Sequence, residues 1–473
     1  MMKSDLAWLG SSLLLLLVTL LTDEALDLSV ASVGMCLLVD IVIVYGYLLN
    51  KRVFTFELAL ISLIILFIFS KFLAGILELD YRFFTRTDLY ASIDIPDDIT
   101  KKIFVLYTIL VNVVAVTVAL IPIKGSRSKV ETLSSTDWEL NLYLLNKWAI
   151  FVLFLPYIYI QIEYLQAVAA AERGYLSVFT ATDFWAAGYK DILTRFLYVN
   201  FSLFFIIAIL FDEKIPKIIV LFLVIFLLLE ILPGQRGHAV LFVLGLLVWK
   251  NTVRPVKLKL FKFVIASSTA VIALVFADIF RGSKAPLGNI VTYALNGFGM
   301  PLNLHQFSFY YSQQLKDYDK TYSMYAITEY FERIFNLSGG VNYEGRSGEL
   351  LNQTSYMGHK ISGIVNYEGW LIGYGTGSAF LAELILDFGE LTAIIMLGLM
   401  FFAFRFFSRH VSYSRSIFWS LMYVTFTPFL LFIPRGSLAN AVPNMISVLG
   451  YWCLMLAVVV LAKATWIKMI ERS

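Results

Sequence analysis

Apolar positions fall along this chain in long unbroken runs, not in the alternating pattern of a strand or the three-to-four spacing of a soluble amphipathic helix. The runs cover residues 6–22, 28–49, 54–76, 103–123, 148–165, 192–211, 216–232, 238–250, 262–280, 384–407, 416–433 and 443–462. A run of about 20 apolar residues matches the hydrocarbon thickness of a bilayer. In hydrocarbon each backbone N–H and C=O must pair within the protein, so each run is predicted to be a helix. The expected fold is an all-α polytopic membrane protein with about 12 transmembrane helices. The pair at 216–250 is separated only by Pro233-Gly234-Gln235-Arg236-Gly237, and its second run is short for a span. It reads as a tight hairpin or as a re-entrant pair, and either keeps the downstream orientation. Met1 to Thr22 has the apolar core of a signal peptide but no small-residue cleavage site after it, so it reads as the first membrane helix.

Composition agrees with a lipid solvent. Of 473 residues 59% are hydrophobic and 15% charged, and the mean hydropathy is +0.78, whereas soluble domains are about half apolar and about a quarter charged. A net charge of +3 is small for this length and gives no reason to expect a nucleic-acid partner. The two cysteines, Cys36 and Cys453, both fall in apolar runs, and no metal-ligand spacing is present.

Charge in the connecting loops sets the orientation. One alternate set is basic: Lys51 and Arg52; Lys124 to Lys147 with Arg127 and Lys129; Lys214 and Lys217; Lys250 to Lys262; Arg405, Arg409 and Arg415; and Lys463, Lys468 and Arg472. By the positive-inside rule these loops and both termini are cytoplasmic. The other set holds the acidic stretch 77–102, the mixed stretch 166–191 and one long polar, aromatic stretch. The chain is therefore divided into helices one to nine (1–280), a large non-cytoplasmic loop (281–373) and helices ten to twelve (374–473). From Tyr293 to Phe335 the loop has aromatic residues at roughly helical spacing and is predicted helical. From Gly339 to Gly377 it holds ten glycines, which argue for turns. Here Val341-Asn342-Tyr343-Glu344-Gly345 recurs as Val365-Asn366-Tyr367-Glu368-Gly369, read as two similar turns that each present an acid and a tyrosine.

Four Arg-Gly pairs occur, at Arg173, Arg236, Arg281 and Arg435, all on the non-cytoplasmic side of this topology and the last three where a helix meets the surface. A guanidinium offers a planar fork to phosphate oxygens, and a neighbouring glycine lets backbone N–H groups reach the same anion. A lipid-linked pyrophosphate, with its charge at headgroup depth, suits such a place. Arginines near helix ends also snorkel to the interface without binding anything. Four together on the face depleted of cations favour an anion site.

Eleven of the 26 tyrosines lie between Tyr293 and Tyr374, with Trp370 among them. Aromatic faces pack on the C–H faces of sugars, so Tyr343, Tyr367 and Trp370, with Glu344 and Glu368, are candidate glycan contacts; an interfacial aromatic belt is the plainer alternative. Candidate acids and bases are His359, His238, Glu344, Glu368 and the pair Glu383 and Asp387, four residues apart and so on one helical face. No nucleotide phosphate loop is present, which favours a substrate that carries its own leaving group.

Two local stretches carry a resemblance: Gly234-Gln235-Arg236-Gly237-His238, and Gly375-Thr376-Gly377-Ser378-Ala379-Phe380-Leu381-Ala382-Glu383 followed by Asp387-Phe388-Gly389. With some twelve helices and a large late loop, the chain resembles the Wzy-type O-antigen polymerases, except that Asp387 stands where Asn is common. The resemblance implies a GT-C-like glycosyltransferase of the bacterial inner membrane with a large periplasmic loop of short helices and turns. Such enzymes use undecaprenyl-pyrophosphate-linked repeat units, release undecaprenyl pyrophosphate, need no cofactor and work with a chain-length regulator. On that reading Arg236, Arg281 and Arg435 hold the pyrophosphate with Arg173 assisting, and the base that activates the acceptor hydroxyl is His359 or Glu383. An O-antigen ligase uses the same donor and is the nearest rival. A lipid-linked oligosaccharide flippase is a rival of another class, and would show repeated halves and a charged central cavity.

Overall fold

The computed structural model describes residues 3–50, 54–78, 86–87, 93–122, 137–170, 185–231, 236–255, 290–318, 321–325, 327–329, 346–372, 375–414, 416–437 and 441–470. These residues are helical apart from turns, loops and one antiparallel ladder in which Arg86 faces Asp94 and Thr87 faces Ile93. Among the described residues, eight helices are long and apolar enough to cross a membrane: Ala7–Leu26, Val30–Asn50, Phe56–Leu77, Asp97–Leu120, Trp138–Gln166, Leu193–Phe211, Glu390–Ser414 and Ala441–Val458. Ala239–Val253 and Ile417–Leu431 are shorter apolar helices. The pair expected at 216–250 is two separate helices, Lys217–Ile231 of 15 residues and Arg236–Val253 of 18. The expected run at 262–280 lies outside the described residues. The protein is an all-α, multi-pass membrane protein.

Large apolar side chains remain exposed along these helices, as a lipid-facing surface requires. On the helix Asp137–Ala170, Trp148, Val152, Leu155 and Tyr159 form such a stripe, each more than 60% exposed. That helix runs through Pro156 without ending; within a membrane, neighbouring groups and local adjustments satisfy the freed carbonyl. Phe56–Leu77 contains one wide turn, Ile65–Phe69, which rotates the helix face between its two halves.

The chain forms two compact units. In the first, made of residues 1–124, 255–410 and 429–439, buried polar groups join helices distant in sequence. Ser12 donates to Asp40, and the Asn112 amide donates to Asp40 Oδ2 at 2.7 Å, tying three spans together. Arg405 Nη1 pairs with Glu57 Oε1 at 2.6 Å while its Nε donates to the Ile121 carbonyl at 3.0 Å. In the second unit, residues 125–254, 411–428 and 440–473, buried Glu230 accepts from Tyr157 Oη at 2.8 Å and from Thr194 Oγ1 at 3.1 Å. Each carboxylate sits where an unpaired charge would cost several kcal/mol (about 2.5–3.5 at the bilayer centre), so pairing is required there.

The described part of the long loop is built of short helices packed on the first unit's spans. We label them α1 (Ile290–Phe298), α2 (Met300–Tyr310), α3 (Ser312–Lys316), α4 (Gly348–Gln353), α5 (Met357–Val365) and α6 (Tyr367–Leu371), followed by α7 (Phe380–Phe388). The described residues of the first half are helical with intervening turns, in line with the expectation. The glycine-rich half is not made of turns alone: it carries α4, α5 and α6, each short. At Gly358, Gly363 and Gly369 an added Cβ would come within 3 Å of a neighbour, so these glycines allow close packing. Ser347 caps α4 by accepting from Leu350 N, and Asn366 caps α6 by accepting from Gly369 N at 2.7 Å. The second copy of the repeat is therefore a capped helix start rather than an open turn; the first copy, 341–345, lies outside the described residues.

Candidate functional site

The loop helices are fixed to the spans by close backbone approach and by buried hydrogen bonds. A Cβ on Gly299, between α1 and α2, would lie 2.4 Å from Lys71 Cβ and 2.6 Å from Lys71 N, so only glycine permits that approach. Lys71, itself buried, donates to Asn303 Oδ1. His305 Nδ1 lies 2.8 Å from the Pro301 carbonyl and its Nε2 lies 2.6 Å from Tyr107 Oη. A carbonyl only accepts, so Nδ1 carries the proton and Tyr107 donates to Nε2. Gln306 Nε2 donates to Thr100 Oγ1 at 2.9 Å. On this base a small apolar core forms from Ile95, Leu304, Phe307, Tyr322, Met357, Ile361, Ala379 and Ala382, joining α2, α5 and α7.

His359 projects from α5 into an aromatic cluster. Its ring packs edge-on against Tyr356 at 4.9 Å and against Trp370 at 5.7 Å. Trp370 Nε1 donates to His359 Nδ1 at 3.1 Å. Indole N–H is a donor only, so Nδ1 accepts and the proton of the neutral ring is on Nε2. Burial, and next the positive charge of Arg346, push the imidazole down to about 4, which keeps it neutral at ordinary pH. Arg346 donates through Nη1 to the Trp370 carbonyl at 2.7 Å, and its guanidinium lies 5.8 Å from the Trp370 ring centre. Lys360, next to His359, turns the other way. It is buried, donates to the Leu351 carbonyl and to the Asn352 carbonyl at 3.0 Å, and lies 3.7 Å over the Tyr318 ring. It therefore closes the C-terminal end of α4.

Of the expected glycan contacts, Tyr367 and Glu368 are exposed at the start of α6. Trp370 is not a stacking platform: it is 1% exposed, packed with Leu350 and Leu351, and neighboured by His359, Arg346 and Tyr367. It supports the rim from beneath. Tyr343 and Glu344 lie outside the described residues.

Glu383 and Asp387 share a face of α7 but not a task. Asp387 accepts from Tyr322 N at 3.0 Å, from Ser323 N at 2.8 Å and from Ser323 Oγ at 2.6 Å, and so anchors the turn 321–325. Glu383 is 0% exposed. Its Oε1 accepts from Ser378, and its Oε2 accepts from Ser437 Oγ at 2.7 Å. Burial raises its carboxyl to about 8 against the lowering effect of the two serines. Burial and, next, the Glu383 charge push Tyr356 above its ordinary range.

Arg435 lies in the turn after the helix Ile417–Leu431, close in space to Glu383. It is exposed, with its guanidinium 5.5 Å from the Phe67 ring centre and 6.0 Å from that of Phe432. The glycine beside it does something other than expected. Gly436 N donates to the Phe432 carbonyl at 2.7 Å, and Arg435 N donates to the same oxygen at 2.8 Å. Both amides are used within the turn, so this pair offers no backbone nest to an anion. Arg173 and Arg281 lie outside the described residues. Arg236 opens the helix Arg236–Val253 in the second unit, and its side chain and that of His238 are also outside the description. Arg346 was missed in the sequence, although it directly follows the first copy of the repeat. Beside α7 a cleft of about 380 Å³ is lined by Lys102, Lys316, Ser308, Ser312, Phe309 and Glu390 among others, with Lys102 paired to Glu390.

The family model for the O-antigen polysaccharide polymerase Wzy matches residues 8–469, nearly the whole chain. The chain belongs to this family. It is therefore a membrane-embedded polymerase of the glycosyltransferase type, of the class that builds O-antigen. Neither the curated proteins nor the solved structures contain a match.

Proposed function

We propose that this protein joins undecaprenyl-pyrophosphate-linked O-antigen repeat units at the periplasmic face of the bacterial inner membrane, with both termini in the cytoplasm and undecaprenyl pyrophosphate as the leaving group. The observation that carries the reading is the family match together with Arg435. An exposed guanidinium lies against aromatic rings at a helix end, in the same unit as His359 and the exposed Tyr367 and Glu368.

In this proposal a sugar hydroxyl of the acceptor attacks the anomeric carbon of the donor, the bond to the pyrophosphate breaks, and the hydroxyl proton is removed. Arg435 binds the pyrophosphate, on which negative charge grows as it departs, and a fixed cation there stabilises the transition state; Arg236, Arg281 and Arg173 are the further candidates read from the sequence. His359 handles the proton. Its resting tautomer carries the proton on Nε2; exchange to the Nδ1–H tautomer, which gives up the Trp370 bond, frees Nε2 to accept the proton of the acceptor hydroxyl. Tyr367 and Glu368, with Tyr343 and Glu344, contact the glycan. A chain-length regulator is the expected protein partner, and no cofactor takes part.

The test is purified protein in nanodiscs with a lipid-linked repeat unit, read as a glycan ladder and released undecaprenyl pyrophosphate. A ladder that Arg435→Ala abolishes supports the reading. Transfer of a single glycan to lipid A–core, without a ladder, assigns a ligase instead. Movement of the lipid-linked unit across the bilayer with no new glycosidic bond assigns a flippase.

A further inference from the structure

Glu383 is a poor candidate for a group that meets substrate. It has no exposed surface, and each carboxyl oxygen already accepts from a serine. The positions of those serines are informative. Ser378 ends the glycine-rich run that leads into α7, while Ser437 closes the turn that carries Arg435. The same turn is fastened to the start of α7 by backbone as well: Phe380 N lies 3.0 Å from the Gly436 carbonyl and 3.3 Å from that of Ile433. On its other side the glycine-rich run is fastened to α5, the helix of His359. Thr376 N donates to Ser362 Oγ at 2.9 Å, and a Cβ on Gly358 would lie 2.3 Å from the Gly377 carbonyl oxygen. Two loops that are far apart in sequence therefore meet at one buried carboxyl group.

We infer that Glu383 is a positioning residue: through Ser378 and Ser437 it clamps the Arg435 turn to the run that seats α5, and so fixes Arg435 relative to His359. The clamp needs two hydrogen bonds, not a proton acceptor. Gln at 383 keeps one carbonyl oxygen for a serine and presents an N–H₂ to the other hydroxyl, which can accept. Ala removes both contacts. The inference rests on the proposed polymerase reading for its consequence in catalysis, but the clamp itself has a readout that needs no activity.

That readout is trypsin cleavage after Arg435 in nanodisc-embedded protein. Cleavage of a folded protein follows local opening of the cleaved segment. Glu383→Ala and Ser437→Ala are expected to speed this cut about tenfold or more, and Glu383→Gln by less than about threefold. In the ladder assay Glu383→Ala is expected to lower kcat about a hundredfold, as misplacement of a charge by about 1 Å does, with a smaller change in KM for the lipid-linked unit. Glu383→Gln is expected to recover most of that loss. If Glu383→Gln is as inactive as Glu383→Ala while its cleavage stays slow, Glu383 handles a proton and the inference is overturned. Unchanged cleavage in both Glu383→Ala and Ser437→Ala also overturns it, whatever the activity. A wild-type protein that makes no ladder, with cleavage behaving as expected, rejects the polymerase reading and leaves the clamp standing.

Discussion

Gly358→Ala tests how closely the His359 helix must sit on the run 375–379. The new Cβ would lie 2.3 Å from the Gly377 carbonyl oxygen, 2.7 Å from its carbon and 2.9 Å from Tyr356 Cε1. Ordinary contact begins at 3.4 Å, so α5 must withdraw by about 1 Å. The tyrosine ring can swing away, but the carbonyl is backbone. Gly377 has φ +80° and is followed by Ser378 and Phe380, both bonded to their surroundings. Overpacking of this kind costs about 1–3 kcal/mol. The displacement also breaks Thr376 N to Ser362 Oγ and carries His359 away from the glycine-rich run. We expect a fall of a few degrees in the midpoint of thermal unfolding and a loss of about a hundredfold in ladder formation. Gly375→Ala is the matched control. Its nearest side-chain neighbour is Arg346 Nη2 at 3.5 Å, and its φ is not positive. Both variants are to be purified in the same detergent, with unfolding followed by intrinsic fluorescence. A Gly358→Ala protein that melts and polymerises like Gly375→Ala would refute the argument that this contact seats the helix.

Three further outcomes follow from buried charge. Asp40→Ala takes the shared acceptor from Ser12 Oγ and the Asn112 amide, which then keep only Asn112 Oδ1 and the Thr108 carbonyl, and should cost about 1–2 kcal/mol in thermal or denaturant unfolding, while Asp40→Asn keeps the shape and should cost less; equal losses would contradict the hydrogen-bonded knot. Arg405→Met strands a buried Glu57 and should cost about 3–5 kcal/mol, most of it recovered by adding Glu57→Leu, so a double variant as unstable as the single one argues against the pair. Glu383, with its folded value raised to about 8, binds more protons folded than unfolded between about 4.5 and 8, so its contribution to stability is lost as pH rises through that window. His359, held down to about 4, acts in the opposite sense below about 6.5. The clean window is therefore about 6.5 to 8, where the wild-type unfolding midpoint should fall with pH and that of Glu383→Gln should fall less; parallel curves would be evidence against the buried carboxyl.

The membrane architecture was legible because it follows from solvent alone. Runs of apolar residues as long as those at 54–76 and 103–123 have no other stable fate, and both became spans. The positive φ at Gly389, which separates α7 from Glu390–Ser414, was not legible. The apolar run read as beginning at 384 therefore begins in the structure with a break and a change of direction. In the loop, composition misled in one respect. Ten glycines read as turns, yet Ser347 and Asn366 start helices there. A cap is worth about 1 kcal/mol, enough to decide a helix of five or six residues whose packing does the rest. Asn366-Tyr367-Glu368-Gly369 was legible as a cap in hindsight of its chemistry alone, an Asx residue with an acid in the first turn.

The candidate site was legible in its residue types but not in its couplings. Glu383 and Arg435 were both singled out, as a possible base and as a phosphate ligand, because each is costly near hydrocarbon without a partner. The partner of Glu383 is Ser437, 54 residues away, and no spacing rule reaches across two membrane helices. A charge at a helix mouth draws the eye as a ligand-binding group, whereas an acid inside an apolar run, such as Asp40, Glu57 or Glu230, passes as an interruption. Physically the order is the reverse. The residue inside the run bears the greater desolvation cost and must be answered by the fold itself, as Ser12, Arg405 and Tyr157 answer these three. Arg435, exposed over the Phe67 ring, keeps its charge at the surface and bears less of that cost. Glu383 belongs with the first group by burial and with the second by position. That combination is why its chemistry is that of a clamp: the fold has already satisfied it, and part of what satisfies it is the turn that carries Arg435.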